Sequence, residues 1–254
     1  MKSKSLIIII ALIIVVGAAS YFAMTYINQN SPTTALMNAK GLLSKNITTT
    51  YEFSVVPIVS GVMPTYWGGL PHAVRVSGLV TISRTPIMDA TVINGTITMN
   101  TELTALTGRF NVALWRHGNE LCYALEFGFM GVQSIIHCVP YVNLTSGYVE
   151  MINESKYIGT GSWNGKTTYC FTSIITITPT SVKNNFLGVP IVVNVTKLCL
   201  LSNGVPANAT IHIYPAHQGP FGEFELGINM TLVSYEFVFN QSGFSAVTRG
   251  LIPG

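Results

Sequence analysis

Apolar and polar residues alternate with a period of two along most of the chain, and this alternation predicts a β-rich domain. Tyr51, Phe53 and Val55 alternate with Glu52 and Ser54, the pattern of a half-buried strand. Further runs of the same kind span Val74–Ser83, Thr91–Met99, Arg109–Arg116, Glu120–Phe127 and Val132–Val139. In the second half, Lys166–Thr178 carries Tyr169, Phe171, Ile175 and Ile177 on one face and Thr168, Thr172, Thr176 and Thr178 on the other. Ile191–Leu200, Val205–Tyr214 and Glu223–Phe239 complete the set. Asn94-Gly95, Asn164-Gly165 and Asn203-Gly204 each read as a type I′ hairpin turn, because both central residues of that turn need positive φ. His117-Gly118-Asn119 reads as a fourth hairpin.

Two segments depart from that period. Ala35-Leu36-Met37-Asn38-Ala39-Lys40-Gly41-Leu42-Leu43 spaces its apolar residues as a helix does, with Thr33 or Thr34 as N-cap and an end near Ser44. Leu144–Lys156 places Tyr148, Met151 and Ile152 at helical spacing and predicts a second short helix. The expected fold is therefore mainly β, in the α+β class. One large curved antiparallel sheet carries about two short helices against one face.

The N-terminus is different in kind. Leu6–Met24 is apolar throughout and contains no charge, after Lys2 and Lys4. In helix it would span roughly 28 Å, close to the hydrocarbon thickness of a bilayer. No basic residue follows until Lys40, so the positive-inside rule puts residues 1–5 in the cytoplasm and the rest outside. The expected organisation is a stub at 1–5, a transmembrane anchor or signal segment at 6–27, a polar linker at 28–34 and an extracytoplasmic domain at 35–254. Ala18-Ala19-Ser20 offers a signal-peptidase site, and a pilin-type cut before Leu6 is a third outcome. The length of the run and its flanks favour an uncleaved anchor; cleavage would leave a secreted protein.

Composition supports export. Only 9% of residues are charged, against about 25% in ordinary soluble domains. The four cysteines, Cys122, Cys138, Cys170 and Cys199, form no C-x-x-C pair, which argues against a zinc ribbon or a thioredoxin-type site. An even number outside the cytoplasm favours two disulfides, and pairing neighbouring strands gives Cys122–Cys138 and Cys170–Cys199. Eight N-x-[ST] sequons, at Asn46, Asn94, Asn143, Asn153, Asn194, Asn208, Asn229 and Asn240, are candidates for glycosylation. The net charge of +3 includes Lys2 and Lys4 and leaves no basic block in the displayed part, so no nucleic-acid partner is expected.

The order of elements resembles the periplasmic lipoprotein-carrier superfamily, which includes LolA, LolB and LppX. The likeness lies in a short helix leading into a strand, a run of hairpins, and a helix entering Tyr157-Ile158-Gly159-Thr160-Gly161-Ser162-Trp163-Asn164-Gly165-Lys166-Thr167-Thr168-Tyr169. Cys199-Leu200-Leu201-Ser202-Asn203-Gly204-Val205-Pro206 matches a strand-turn-strand of that superfamily in spacing. The resemblance implies a strongly curved sheet that cups helices around an apolar cavity. It transfers no functional residue, because ligand contact there is an apolar surface. The cysteines and the anchor depart from the bacterial pattern.

Candidate chemistry is sparse. His212 and His217 lie five apart, which on one strand sends them to opposite faces. His72, His117 and His137 carry no metal spacing either. Glu223 and Glu225 share a strand face and form a carboxylate pair with glycosidase-like separation, a pattern that two solvated carboxylates also produce. No nucleophile-elbow, zinc-protease or phosphate-loop motif occurs in its required context, so no enzyme, metal or cofactor is expected. Tyr66 and Trp67, in a Pro- and Gly-rich loop, and Phe129 and Met130, in a second apolar loop, are candidates for ligand or membrane contact. Three roles follow in order: a membrane-anchored domain binding a lipid or other apolar ligand, a structural surface glycoprotein or pilin-like subunit, and an extracytoplasmic hydrolase.

Overall fold

The computed structural model describes residues 31–60, 75–86, 90–100, 105–128, 132–140, 145–177, 190–216 and 223–248. Helix α1 (Pro32–Gly41) starts earlier than its apolar period implies. Ser31, rather than Thr33 or Thr34, is the N-cap; its hydroxyl accepts from the Thr34 amide at 3.1 Å. Pro32 suits the first helical position because it has no amide hydrogen to leave unpaired. Ala35, Asn38, Ala39 and Leu42 form the buried face, and a 3₁₀ turn over Leu42–Ser44 delivers the chain to the first strand.

Eleven strands follow among the described residues. They are β1 (Ile47–Ser60), β2 (Arg75–Thr85), β3 (Ala90–Asn100), β4 (Ala105–His117), β5 (Glu120–Phe127), β6 (Val132–Pro140), β7 (Lys156–Trp163), β8 (Lys166–Ile177), β9 (Ile191–Leu201), β10 (Pro206–Pro215) and β11 (Glu223–Glu236). Helix α2 (Thr145–Asn153) lies between β6 and β7, and helix α3 (Gln241–Thr248) follows β11. All strands join one antiparallel sheet in the order β6-β5-β4-β3-β2-β1-β11-β10-β9-β8-β7. Two meanders, β1–β6 and β7–β11, are thus sewn together by β1 and β11, which pair from Thr48↔Glu236 to Ser60↔Glu223.

This topology compels the sheet to curl. Laid flat, ten strand intervals of about 4.8 Å would separate β6 and β7 by about 48 Å. The connection between them holds α2 and eight further peptide steps, which reach about 42 Å even when fully extended. The curl is visible in the contacts: the Trp163 indole N–H on β7 donates to the Leu232 carbonyl on β11, four strands along the sheet, at 2.7 Å. Bulges on β9, β10 and β11 add the local twist that such bending requires.

One apolar cluster fills the inner face. It takes in Tyr51, Phe53 and Val55 of β1, Ile82 of β2, Phe110 and Val112 of β4, Phe171 and Ile175 of β8, and Met151 and Ile152 of α2. A second, smaller cluster lies on the opposite face. There Phe244 and Val247 of α3 pack on Ala90, Val92, Ala113, Trp115, Cys122 and Ala124. The expectation of two helices against one face is corrected by this arrangement. Among the described residues there are three α-helices, and the third covers the outer face, where small residues on β3, β4 and β5 leave a trough for it. Its sequence carries few helix formers, so packing of Phe244 edge-on to Trp115 (centroids 5.9 Å apart) sustains it rather than propensity.

The hairpins divide. Asn164 and Gly165 both have positive φ, 47° and 76°, as a type I′ turn demands. Gly118 opens the two-residue β4–β5 turn with φ 59°. At the β9–β10 turn only Gly204 is left-handed, and its amide bonds the Leu201 carbonyl, so Ser202-Asn203 make an ordinary turn followed by a glycine bulge rather than type I′. Asn94-Gly95 is no turn at all. It sits inside β3, with Asn94 paired to Thr81 and Asn111, because the Phe110 ring lies where a Gly95 side chain would be (2.4 Å from an ideal Cβ). Both expected disulfides form between directly opposed residues, Cys122–Cys138 across β5/β6 and Cys170–Cys199 across β8/β9.

Among the described residues no helix is long and apolar enough to cross a membrane. The Leu6–Met24 segment lies outside them.

Candidate ligand-binding face

The inner face is aliphatic and aromatic from β4 round to β8, with the Tyr51 phenol buried within it. Tyr51 is fully enclosed, and its hydroxyl donates to the Pro206 carbonyl at 3.3 Å across the intervening β11. Burial holds this phenol far above its ordinary range, an effect that a hydrogen bond with Thr49 partly offsets, so it stays neutral and acts as a donor. Helices α1 and α2 pack mainly against β8 and β9. They leave the aromatic stretch over β1 to β4 (Phe53, Val80, Ile93, Ile97 and Phe110) to be enclosed by the curl of the sheet. Thr168, buried beside Gly161 and the Cys170–Cys199 bridge, has a hydroxyl with no hydrogen-bond partner among the described residues.

The outer face is polar outside the α3 trough. Thr50 and Thr81 hydroxyls meet at 3.0 Å, and Asn111 donates to Glu126 at 2.9 Å. The sequons Asn208-Ala209-Thr210 and Asn229-Met230-Thr231 lie antiparallel in register, so that each asparagine faces the other's threonine. The Thr210 hydroxyl bonds the Asn229 amide oxygen at 3.0 Å. Asn194 lies on the same face opposite His212, and Asn94 lies in the middle of β3. Asn46 is exposed just before β1, and Asn153 ends α2 with its amide oxygen held by Lys40. Asn240 is committed to structure: its side chain accepts from the Gly243 amide at 2.9 Å and caps α3. Asn143 lies outside the described residues, as do Tyr66, Trp67, Phe129 and Met130.

Periodicity gave no sign of one pairing that the register creates. His212 on β10 and Glu225 on β11 are hydrogen-bonded through Nδ1 and Oε1, both about 30% exposed (28% and 31%). The two residues are one row apart on the outer face, where Gly227 opposite His212 leaves room for the imidazole. Sequence separation hid the contact; a strand pairing would have had to be assumed to find it. A histidine held by a carboxylate is the supporting part of a nucleophile-activating set. The Thr210 hydroxyl, two residues before His212 on that face, is bonded to Asn229 instead. His137 stacks on Tyr123 (5.7 Å) and His117 is exposed in its hairpin; His72 and His217 lie outside the described residues. The group with metal-like spacing among the described residues, Glu120 with Cys122 and Cys138, has its sulfurs tied in a disulfide, so they offer no thiolate.

No protein-family model matches the chain, and no curated protein does. Solved structures overlap it loosely, among them the following two. A β-barrel-like protein of a domain of unknown function from Brucella abortus is 9% identical, with a TM-score of 0.33, over 76% of this chain and 98% of that one. The lipoprotein LppX of Mycobacterium tuberculosis is 13% identical, with a TM-score of 0.30, over 78% of this chain and 90% of that one.

Proposed function

We propose that the chain displays a non-catalytic, disulfide-stapled β domain outside the cytoplasm, held there by its N-terminal apolar segment, and that the inner face of the curved sheet accommodates a lipid or other apolar ligand. The observation that carries this reading is the mismatch between the apolar inner face and its helical cover. That face runs without a break from Phe110 on β4 to Ile175 on β8, whereas the two helices that face it are short and pack mainly over β8 and β9. A sheet of this width, bent around an aliphatic and aromatic lining, offers the kind of surface that holds an apolar molecule. The two disulfides support the compartment, since such bonds persist in oxidising surroundings.

Native mass spectrometry of the intact chain, extracted and transferred without delipidating washes, tests the reading. The expected spectrum contains a species heavier than the bare chain by the mass of one lipid, released on collisional activation. A single bare-chain mass over the whole range of activation energies would overturn it.

A further inference from the structure

We propose that one end of the sheet is a docking surface for the lipid bilayer, so that the domain lies against the membrane that anchors it. This rests on the anchoring part of the reading above.

The register gathers the relevant residues. β7 ends at Trp163 and β8 begins at Lys166; β9 ends at Leu201, β10 begins at Pro206 and β11 ends at Glu236. In an antiparallel sheet these termini share one rim. On that rim Trp163, Tyr235 and Phe237 form a ladder of rings, with centroids 6.2 and 5.9 Å apart. The Lys166 ammonium lies 6.0 Å from the Trp163 ring centroid. Val233, Phe237 and Val238 are 48%, 39% and 49% exposed, an unusual concentration of uncovered apolar side chains at the end of one strand. Large aromatic rings beside an ammonium match the headgroup layer of a bilayer, which takes amphipathic rings at its surface and pairs cations with phosphate.

The same rim joins the helix nearest the apolar N-terminal segment. Asn38 of α1 donates to the Ser202 carbonyl in the β9–β10 turn, and the next residue of that turn, Asn203, donates to the Tyr235 hydroxyl. Met37, beside Asn38, is 62% exposed and extends the apolar surface onto α1. Only residues 25–30 separate the uncharged run ending at Met24 from the Ser31 cap, a reach of at most about 25 Å. Ser31 itself lies about 10 Å along the helix from Asn38. A chain tethered this closely brings the ring ladder to the bilayer surface.

The test uses the full chain reconstituted into phosphatidylcholine vesicles, with and without lipids brominated on the acyl chain. Phe237→Trp and Ile174→Trp are each compared with the parent. Ile174 is 57% exposed on β8, about 26 Å along the strand from Lys166, and is the control position. Flotation of the vesicles first reports whether the chain is membrane-bound. The expected result is flotation, with the added emission of the Phe237→Trp chain quenched at least about twofold more than that of Ile174→Trp, since interfacial rings lie close to the upper acyl chain. Flotation with equal quenching at the two positions would overturn the docking surface and leave the anchor standing. Failure to float would overturn both. Near-ultraviolet dichroism shows whether each variant is folded, and Val238→Trp replaces Phe237→Trp if that chain is not.

Discussion

Trp163→Phe removes the indole N–H and shortens the ring to a phenyl that can still pack against the core, so it probes the contact that closes the curl. In the parent the indole N–H caps the Leu232 carbonyl, at the point where β10 no longer pairs with β11, whose last partner is Asn208↔Thr231. Loss of a hydrogen bond costs about 0.5–1.5 kcal/mol, and an acceptor left unmet in a partly buried site raises the cost to about 1–2 kcal/mol. A domain of this size loses roughly 2–4 °C of melting temperature per kcal/mol, so the expected fall is about 2–8 °C. Hydrogen exchange identifies where the loss occurs. Amides of Gly161–Trp163 are expected to exchange faster, while those of β2–β5, remote from the contact, keep their protection. A melting temperature unchanged within about 1 °C, with unaltered exchange on β7, would refute the view that this contact holds the two wings of the sheet together.

Tyr51 carries a pH signature. Its folded-state pKa lies above its unfolded value, so its contribution is complete below about pH 10 and is lost as pH rises through the folded value. The parent is therefore expected to lose denaturant resistance above about pH 10 more steeply than Tyr51→Phe does, and parallel curves for the two chains would count against the buried phenol. Asn240→Ala should destabilise by about 1 kcal/mol through loss of the α3 cap, and in a glycosylating host its intact mass should differ from the parent's by the substitution alone; a further loss of one glycan mass would show that this sequon is used.

Much of this architecture is legible in the chain because it depends on near neighbours. Strand positions follow from a period of two, and the Asn164-Gly165 turn follows from backbone preferences of two residues. The disulfides followed from pairing adjacent strands, and that local choice coincides with the register, where Cys122 faces Cys138 and Cys170 faces Cys199. Where the local rule failed, a distant residue had intervened. Asn94-Gly95 has every preference of a hairpin turn, yet Phe110, fifteen positions later, needs the space above Gly95 and keeps the strand straight through it.

What lies beyond sequence reach is pairing over long separations. Alternation tells a strand which face to bury, not which strand will lie beside it, since backbone hydrogen bonds are alike along every edge. Only the folded sheet joins β1 to β11, leaves β6 and β7 as its two edges and forces the curl that brings Trp163 to Leu232. The same folding puts His212 against Glu225 and assembles a ring ladder from β7 and β11, two strands some seventy residues apart in the chain. The apolar N-terminal run, the strands and the cysteines are written one after another along the chain. The apolar inner face and the aromatic rim exist only once distant strands have been brought together, because each is a surface to which no single segment contributes more than a few side chains.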